Sequence, residues 1–146
     1  MIYLGADHAG FKLKERVKKY LDKKNIAYED LGNFGYDKND DYPDYGHLVA
    51  SSVARTKKST GILFCGSSYG ACIVANKTPG IRAVSVRDVH DAKLARAHDH
   101  ANVMCLSGWS TTTTSAKKFV NVWLKTKQSK ATRHVRRVNK IKKIEK

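Results

Sequence analysis

An α/β fold, with helices on both faces of a parallel sheet, is what the 146-residue sequence predicts. Three observations carry that reading. Short apolar runs alternate with amphipathic helical stretches, and no internal repeat or low-complexity linker breaks the alternation. A third is bulk. With 41% hydrophobic and 28% charged residues, residues 1–146 read as one globular domain that can bury a core without disulfide or metal staples.

Residues 2–5 read as the first strand. Residues 11–24 come next as a helix, because Phe11, Leu13, Val17, Tyr20 and Leu21 share one face and Lys and Glu occupy the other. Residues 26–31 form a second strand, and the Gly, Asn and Asp of residues 32–41 a polar loop. Pro43 marks a helix start that residues 45–55 continue. Residues 60–65 are the clearest buried strand, ending in the turn Gly66-Ser67-Ser68-Tyr69-Gly70. A helix over 71–77 is stopped by Pro79-Gly80. Residues 81–86 are a fourth strand, 89–98 a helix, and 102–106 a fifth strand. Helices over 113–127 and 133–146 complete the chain, the last with a narrow stripe of Val135, Val138, Ile141 and Ile144.

Apolar runs as short as residues 71–75 cannot cross a bilayer. The N-terminal residues lack the pattern of a secretory signal, and three cysteines (Cys65, Cys72 and Cys105) suit free thiols in a reducing cytoplasm. No ligand set for structural zinc is apparent. The net charge of +15 is unevenly placed: nine of 13 acids precede residue 45, while residues 111–146 carry twelve Lys or Arg against Glu145 alone. Such a field draws anions, whether phosphorylated metabolites or nucleic acid.

In sheets of this kind, ligands bind beyond the carboxyl ends of the strands, where strand order reverses. Asp7-His8 after the first strand, residues 65–70 after the third, and residues 98–102 leading into the fifth are expected to gather there. The Gly66–Gly70 turn opens a helix, so its amides either cradle an oxyanion or simply make the turn. Nucleotide fingerprints do not fit: Gly5 to Gly10 has P-loop spacing, but Phe11-Lys12 replaces the required Lys-Ser/Thr. Cys65 is either a small buried thiol or, at a helix N-terminus that favours thiolate, a base or nucleophile. His98 and His100, two residues apart, do not share a helix face for a metal, although one can act as a general acid. Arg133 and Arg137 lie four apart on one helix face, and either clamp a phosphate or form a solvated basic surface.

Taken together, Gly5-Ala6-Asp7-His8-Ala9-Gly10-Phe11, Asp41-Tyr42-Pro43, Cys65-Gly66-Ser67 through Gly70, Ala75-Asn76-Lys77, Pro79-Gly80-Ile81-Arg82-Ala83, His98 with Asn102-Val103, and Arg133-His134 with Arg137 keep family order over nearly the whole chain. The sequence thereby resembles the type B ribose-5-phosphate isomerases, a family that includes galactose-6-phosphate isomerase subunits. The resemblance implies a three-layer, Rossmann-like α/β/α sandwich with a five-stranded parallel sheet and a C-terminal helix. It implies a homodimer, with a tetramer the alternative, whose active sites are shared between subunits and use no cofactor or metal. It also implies roles. Cys65 is the base, Ser67 bonds the reacting oxygens, and His98 opens the sugar ring. The loop Gly66, Ser68, Tyr69, Gly70 holds the enediolate. Asp7 and Tyr42 orient the sugar, with Asp99 near sugar or phosphate, and His8, Arg133 and Arg137 take the phosphate. Three positions depart from the family: Ser68 stands for a usual Gly, Asp99 for a usual Asn, and the Gly-x-Arg expected around Ser107-Gly108-Trp109-Ser110 is missing. A small phosphorylated sugar is the expected substrate, ribose 5-phosphate first and a six-carbon sugar phosphate next. Nucleic acid is the disfavoured partner.

Overall fold

The computed structural model describes residues 1–145 and has five strands and six helices in alternation. They are β1 (Ile2–Ala6), α1 (His8–Lys23), β2 (Glu29–Asp30), α2 (Tyr42–Arg55), β3 (Thr60–Cys65), α3 (Tyr69–Ala75), β4 (Ala83–Ser85), α4 (Val89–His98), β5 (Val103–Ser107), α5 (Thr113–Lys125) and α6 (Thr132–Ile144). The strands pair in the order β2-β1-β3-β5-β4, all parallel, so the expected α/β class is the observed one.

Side-chain alternation along the strands builds two cores, as the period of two requires. Leu4, Ile62, Phe64, Met104 and Leu106 face α1, α4 and α5, while Leu63, Cys65, Val103 and Cys105 face α2 and α3. The central strand β3 is buried at all six residues, the pattern of a sheet covered on both faces. Trp123 of α5 is wholly buried and its indole N–H donates to Thr60 Oγ1 at 2.8 Å, so no polar atom is stranded by that burial.

Several boundaries differ from the sequence reading, each for a local reason. Helix α1 begins at His8, not residue 11, because Asp7 caps it by accepting from the Gly10 amide at 2.9 Å. The two outer strands are short. β2 keeps only two ladder residues, though the chain continues to bond β1 through Leu31 and Asn33. β4 starts at Ala83 because the amide of Ile81 closes a turn onto Thr78. Of the apolar stripe on α6 only Val138 is buried; Val135, Ile141 and Ile144 are exposed. Lys146, included in the expected last helix, lies outside the described residues.

One expectation is corrected by topology. Residues 98–102 do not join the carboxyl ends of the strands. They precede a parallel strand, so they lie at its amino end, where α4 terminates. The switch in strand order falls between β1 and β3, whose carboxyl ends carry Asp7 and Cys65.

Candidate active site

Cys65 ends β3 and is only 3% exposed, yet it borders a cavity of about 230 Å³. Asp7, His8, Tyr42, Gly66, Ser67, Gly70 and Trp109 make up most of the remaining wall. Two glycines permit this closeness. A Cβ on Gly66 would lie 2.4 Å from the Trp109 ring, and one on Gly70 2.7 Å from the Tyr42 ring. The loop after β5 is tied to the loop after β3 by Gly108 N–H to Cys65 O at 2.8 Å and Trp109 N–H to Gly66 O at 3.2 Å. That pairing brings Trp109 over the cavity.

Burial pushes the pKa of the Cys65 thiol up, the Asp7 carboxyl adds to that, and the main-chain N–H groups of Ala71 and Ser68 only partly counter it. Within one chain the direction favours the thiol, the buried-thiol alternative of the two that the sequence left open. Asp7 is raised as well, by burial first, against the Gly10 amide that it caps. His8 is raised chiefly by its hydrogen bond to Asp40, with Nδ1 and Oδ1 2.8 Å apart. The same oxygen accepts from the His8 main-chain N–H at 2.7 Å. His8 thus leans towards its cation, the form that attracts phosphate.

Asp40 is itself positioned. Asn33 Nδ2 donates to its other oxygen at 2.6 Å, and the carbonyl of Asn33 accepts from the fully buried Lys14 ammonium at 2.6 Å. Lys14 also pairs with Asp30 at 2.6 Å. A buried cation so satisfied fixes the loop that orients His8.

Ser67 sits at the cavity wall, and its Oγ accepts from the Tyr69 amide at 3.3 Å. Ser68 is turned away: it is buried in a left-handed conformation (φ 75°), and its hydroxyl bonds that of Ser85. This left-handed geometry accounts for the glycine usual at that place, since a Cβ there costs roughly 1–2 kcal/mol. Tyr69 is exposed and borders a neighbouring hydroxyl-lined cleft with Ser68, not the Cys65 cavity.

The remaining expected residues lie elsewhere. His98 stacks on His134 with ring centroids 4.1 Å apart, at the amino end of the sheet. His134 accepts from or donates to Ser129 Oγ through Nδ1 at 2.8 Å, and burial, with His98 next, lowers its pKa. Asp99 is exposed at the end of α4, and Arg133 and Arg137 are exposed on α6. None of these four reaches the Cys65 cavity of the same chain. The six residues of β3 span roughly 20 Å at about 3.3 Å each, far beyond a hydrogen bond. Among the described residues, no three His, Cys, Asp or Glu side chains gather as a metal site, and no helix is long and apolar enough to cross a membrane.

A family profile described as Ribose/Galactose Isomerase matches residues 2–141. The chain belongs to that family. It is 43% identical over 140 residues to a probable ribose-5-phosphate isomerase B of Mycoplasma pneumoniae, covering 96% of this chain and 91% of that protein. The Escherichia coli ribose-5-phosphate isomerase B is 37% identical over 144 residues, covering 99% and 95%. A Mycoplasma genitalium ribose-5-phosphate isomerase B solved with bound ribulose-5-phosphate superposes with a TM-score of 0.93 at 41% identity, covering 99% of this chain and 95% of that one.

Two features of this family member escaped the sequence reading. Trp109 is 77% exposed and lines the cavity, within the stretch Ser107 to Ser110 where the expected Gly-x-Arg is missing. Asp40 is the partner of His8, and its signal was the acid-rich stretch Asp37 to Asp44, which charge counting alone left as a solvated loop.

Proposed function

We propose that the chain interconverts ribose 5-phosphate and ribulose 5-phosphate through a cis-enediolate, in a homodimer whose two sites each draw on both copies. The observation that carries this reading is the cavity holding Cys65 beside Asp7, His8, Tyr42 and Ser67 at the switch point, in a chain so similar to an isomerase bound to ribulose-5-phosphate. Aldose–ketose isomerisation removes a weakly acidic C–H proton and places the charge on oxygen. Donors held in advance at that oxygen contribute about 3 kcal/mol each.

His98 of a second copy protonates the ring oxygen while the O1 hydroxyl gives up its proton to water, so the ring O–C1 bond breaks, C1=O1 forms and the furanose opens. The Cys65 thiolate then takes the C2 proton of the open aldose, and the electron pair moves through C1 onto O1. Amides of the Gly66–Gly70 loop hold the enediolate, Ser67 relays the hydroxyl proton from O2 to O1, and Cys65 returns its proton to C1. Asp7 and Tyr42 orient the hydroxyls while Trp109 walls the sugar. His8, with Arg133 and Arg137 of the second copy, takes the phosphate.

Sharing between copies makes sense of three observations. His98, Asp99, Arg133 and Arg137 sit a sheet's depth from their own Cys65. The α6 stripe is largely uncovered by its own chain. The Cys65 thiol is raised with no cation of its own chain among the causes, and cations arriving from a second copy would lower it towards working pH.

The test is an isomerase assay of Cys65→Ala against the parent, with circular dichroism to verify the fold. Turnover should fall by about 10²- to 10⁴-fold, the contribution expected of a general base. Undiminished turnover would remove Cys65 from the chemistry. Turnover of allose or galactose 6-phosphate, with none of the pentose phosphates, would move the assignment to six-carbon sugars.

A further inference from the structure

We propose that the cleft at the amino ends of the strands is a second, non-catalytic anion site that takes the phosphate group of a small metabolite. The cleft encloses about 560 Å³, more than the Cys65 cavity. Three cationic side chains, Lys58, Arg82 and Arg96, border it, and no carboxylate side chain does.

The two arginines are fixed in place by neutral acceptors. Arg82 donates from Nε to Asp99 O at 3.1 Å and from Nη2 to His100 O at 2.9 Å. Arg96 donates from Nη1 to Ala101 O at 2.6 Å, and its guanidinium lies 5.2 Å from the centre of the Trp123 ring. Three successive carbonyls thus draw two like charges together. Among the described residues neither arginine forms an ion pair within 4.0 Å, although Arg82 also borders a neighbouring groove with Asp99 and with Glu145, the acid that acts on it. Burial lowers the pKa of both groups, and Arg82 lowers that of Arg96 further. Half-buried cations held so close are stabilised by a counter-anion.

Capping the end of α4 explains the carbonyl contacts but leaves two facts over. Arg96 Nε is buried without any partner. Lys58, in a left-handed turn conformation (φ 59°), borders the same cleft from the loop before β3. Lys58 and Arg96 both border the cleft, so an oxyanion held there meets positive charge from the loop before β3 and from α4 together. The hydroxyls nearby are already engaged: Thr56 with Tyr3, Ser59 with main-chain carbonyls, and Thr60 with Asn102 O. Recognition is therefore of charge rather than of sugar hydroxyls, which admits free phosphate or a phosphate ester.

Calorimetric titration of the intact protein with inorganic phosphate, and separately with ATP, tests the site. Saturable binding should persist in Arg137→Ala, which addresses the catalytic phosphate, and weaken at least about tenfold in Lys58→Ala, the scale of a lost charge-assisted hydrogen bond. Lys58→Ala should keep the isomerase turnover of the parent, and Arg96→Gln, which removes the charge on the α4 side of the cleft, should weaken binding as well. Tighter binding of ATP would mark a phosphate ester as the natural occupant, and tighter binding of phosphate the free anion. No saturable binding outside the catalytic site, or binding indifferent to Lys58→Ala, would overturn the proposal.

Discussion

At the carboxyl end of the sheet, Asp7 and Cys65 are buried against a cavity and the charged neighbours are tied in series: Asp7 caps a helix, His8 pairs with Asp40, and Asp40 with Asn33. At the amino end, Asp99, Arg133 and Arg137 stand exposed, while His98 stacks on His134 and main-chain carbonyls hold Arg82 and Arg96. One end has a thiol, hydroxyls and a small cavity but few cations. The other has cations and imidazoles and encloses no carbon chemistry. Parallel topology explains the separation: residues just after a strand lie at one end and residues just before it at the other, so the two sets meet only under the sharing between copies proposed above.

The largest effect that sharpens this comparison is expected from Arg137→Ala. Steady-state kinetics should show KM for ribose 5-phosphate raised between about 10- and 100-fold, from about 1.5–3 kcal/mol for hydrogen bonds to a charged group. An unchanged KM would leave the amino end outside the site. Trp109→Ala should act more weakly, raising KM by about three- to tenfold as the ring's apolar contact with the sugar is lost. An effect on kcat alone would contradict a walling role. The smallest effect is one of pH. His8 has its pKa raised above the ordinary 6.5 by Asp40, so its cation is complete below that value and is lost as pH rises through the raised one. KM should climb over that range, and Asp40→Asn should shift the climb to lower pH. A KM profile that Asp40→Asn leaves in place would separate His8 from phosphate binding.

The fold was legible because its signals are local and periodic. The buried strand over residues 60–65 matches β3, and the helix over 89–98 matches α4 residue for residue. The edge strands β2 and β4 were overdrawn because their apolar runs continue into turns that only hydrogen bonding distinguishes. The carboxyl-end residues were legible as a group, since Asp7, His8, Cys65 and Gly66 each directly succeed or end a strand. His98 was misplaced although the same rule, applied to a residue preceding β5, puts it at the other end. The acidity of Cys65 was left open between a buried thiol and a thiolate for a different reason. Spacing displays the loop amides, but burial outweighs them, and burial belongs to packing from α2 and α3 rather than to any motif. Asp40 and Trp109 act across 32 residues and 43 positions of separation from His8 and Gly66, which no local pattern encodes.

Subunit mixing addresses the shared site most directly. Cys65→Ala and the double variant Arg133→Ala/Arg137→Ala, each impaired alone, would be unfolded together in equal amounts, refolded and assayed at low substrate. Sites built from two copies predict recovery to about one quarter of the parent activity, because half of randomly paired dimers carry one intact site of two. Activity no higher than the mean of the two variants would contradict sites shared between copies and return His98, Arg133 and Arg137 to a structural role.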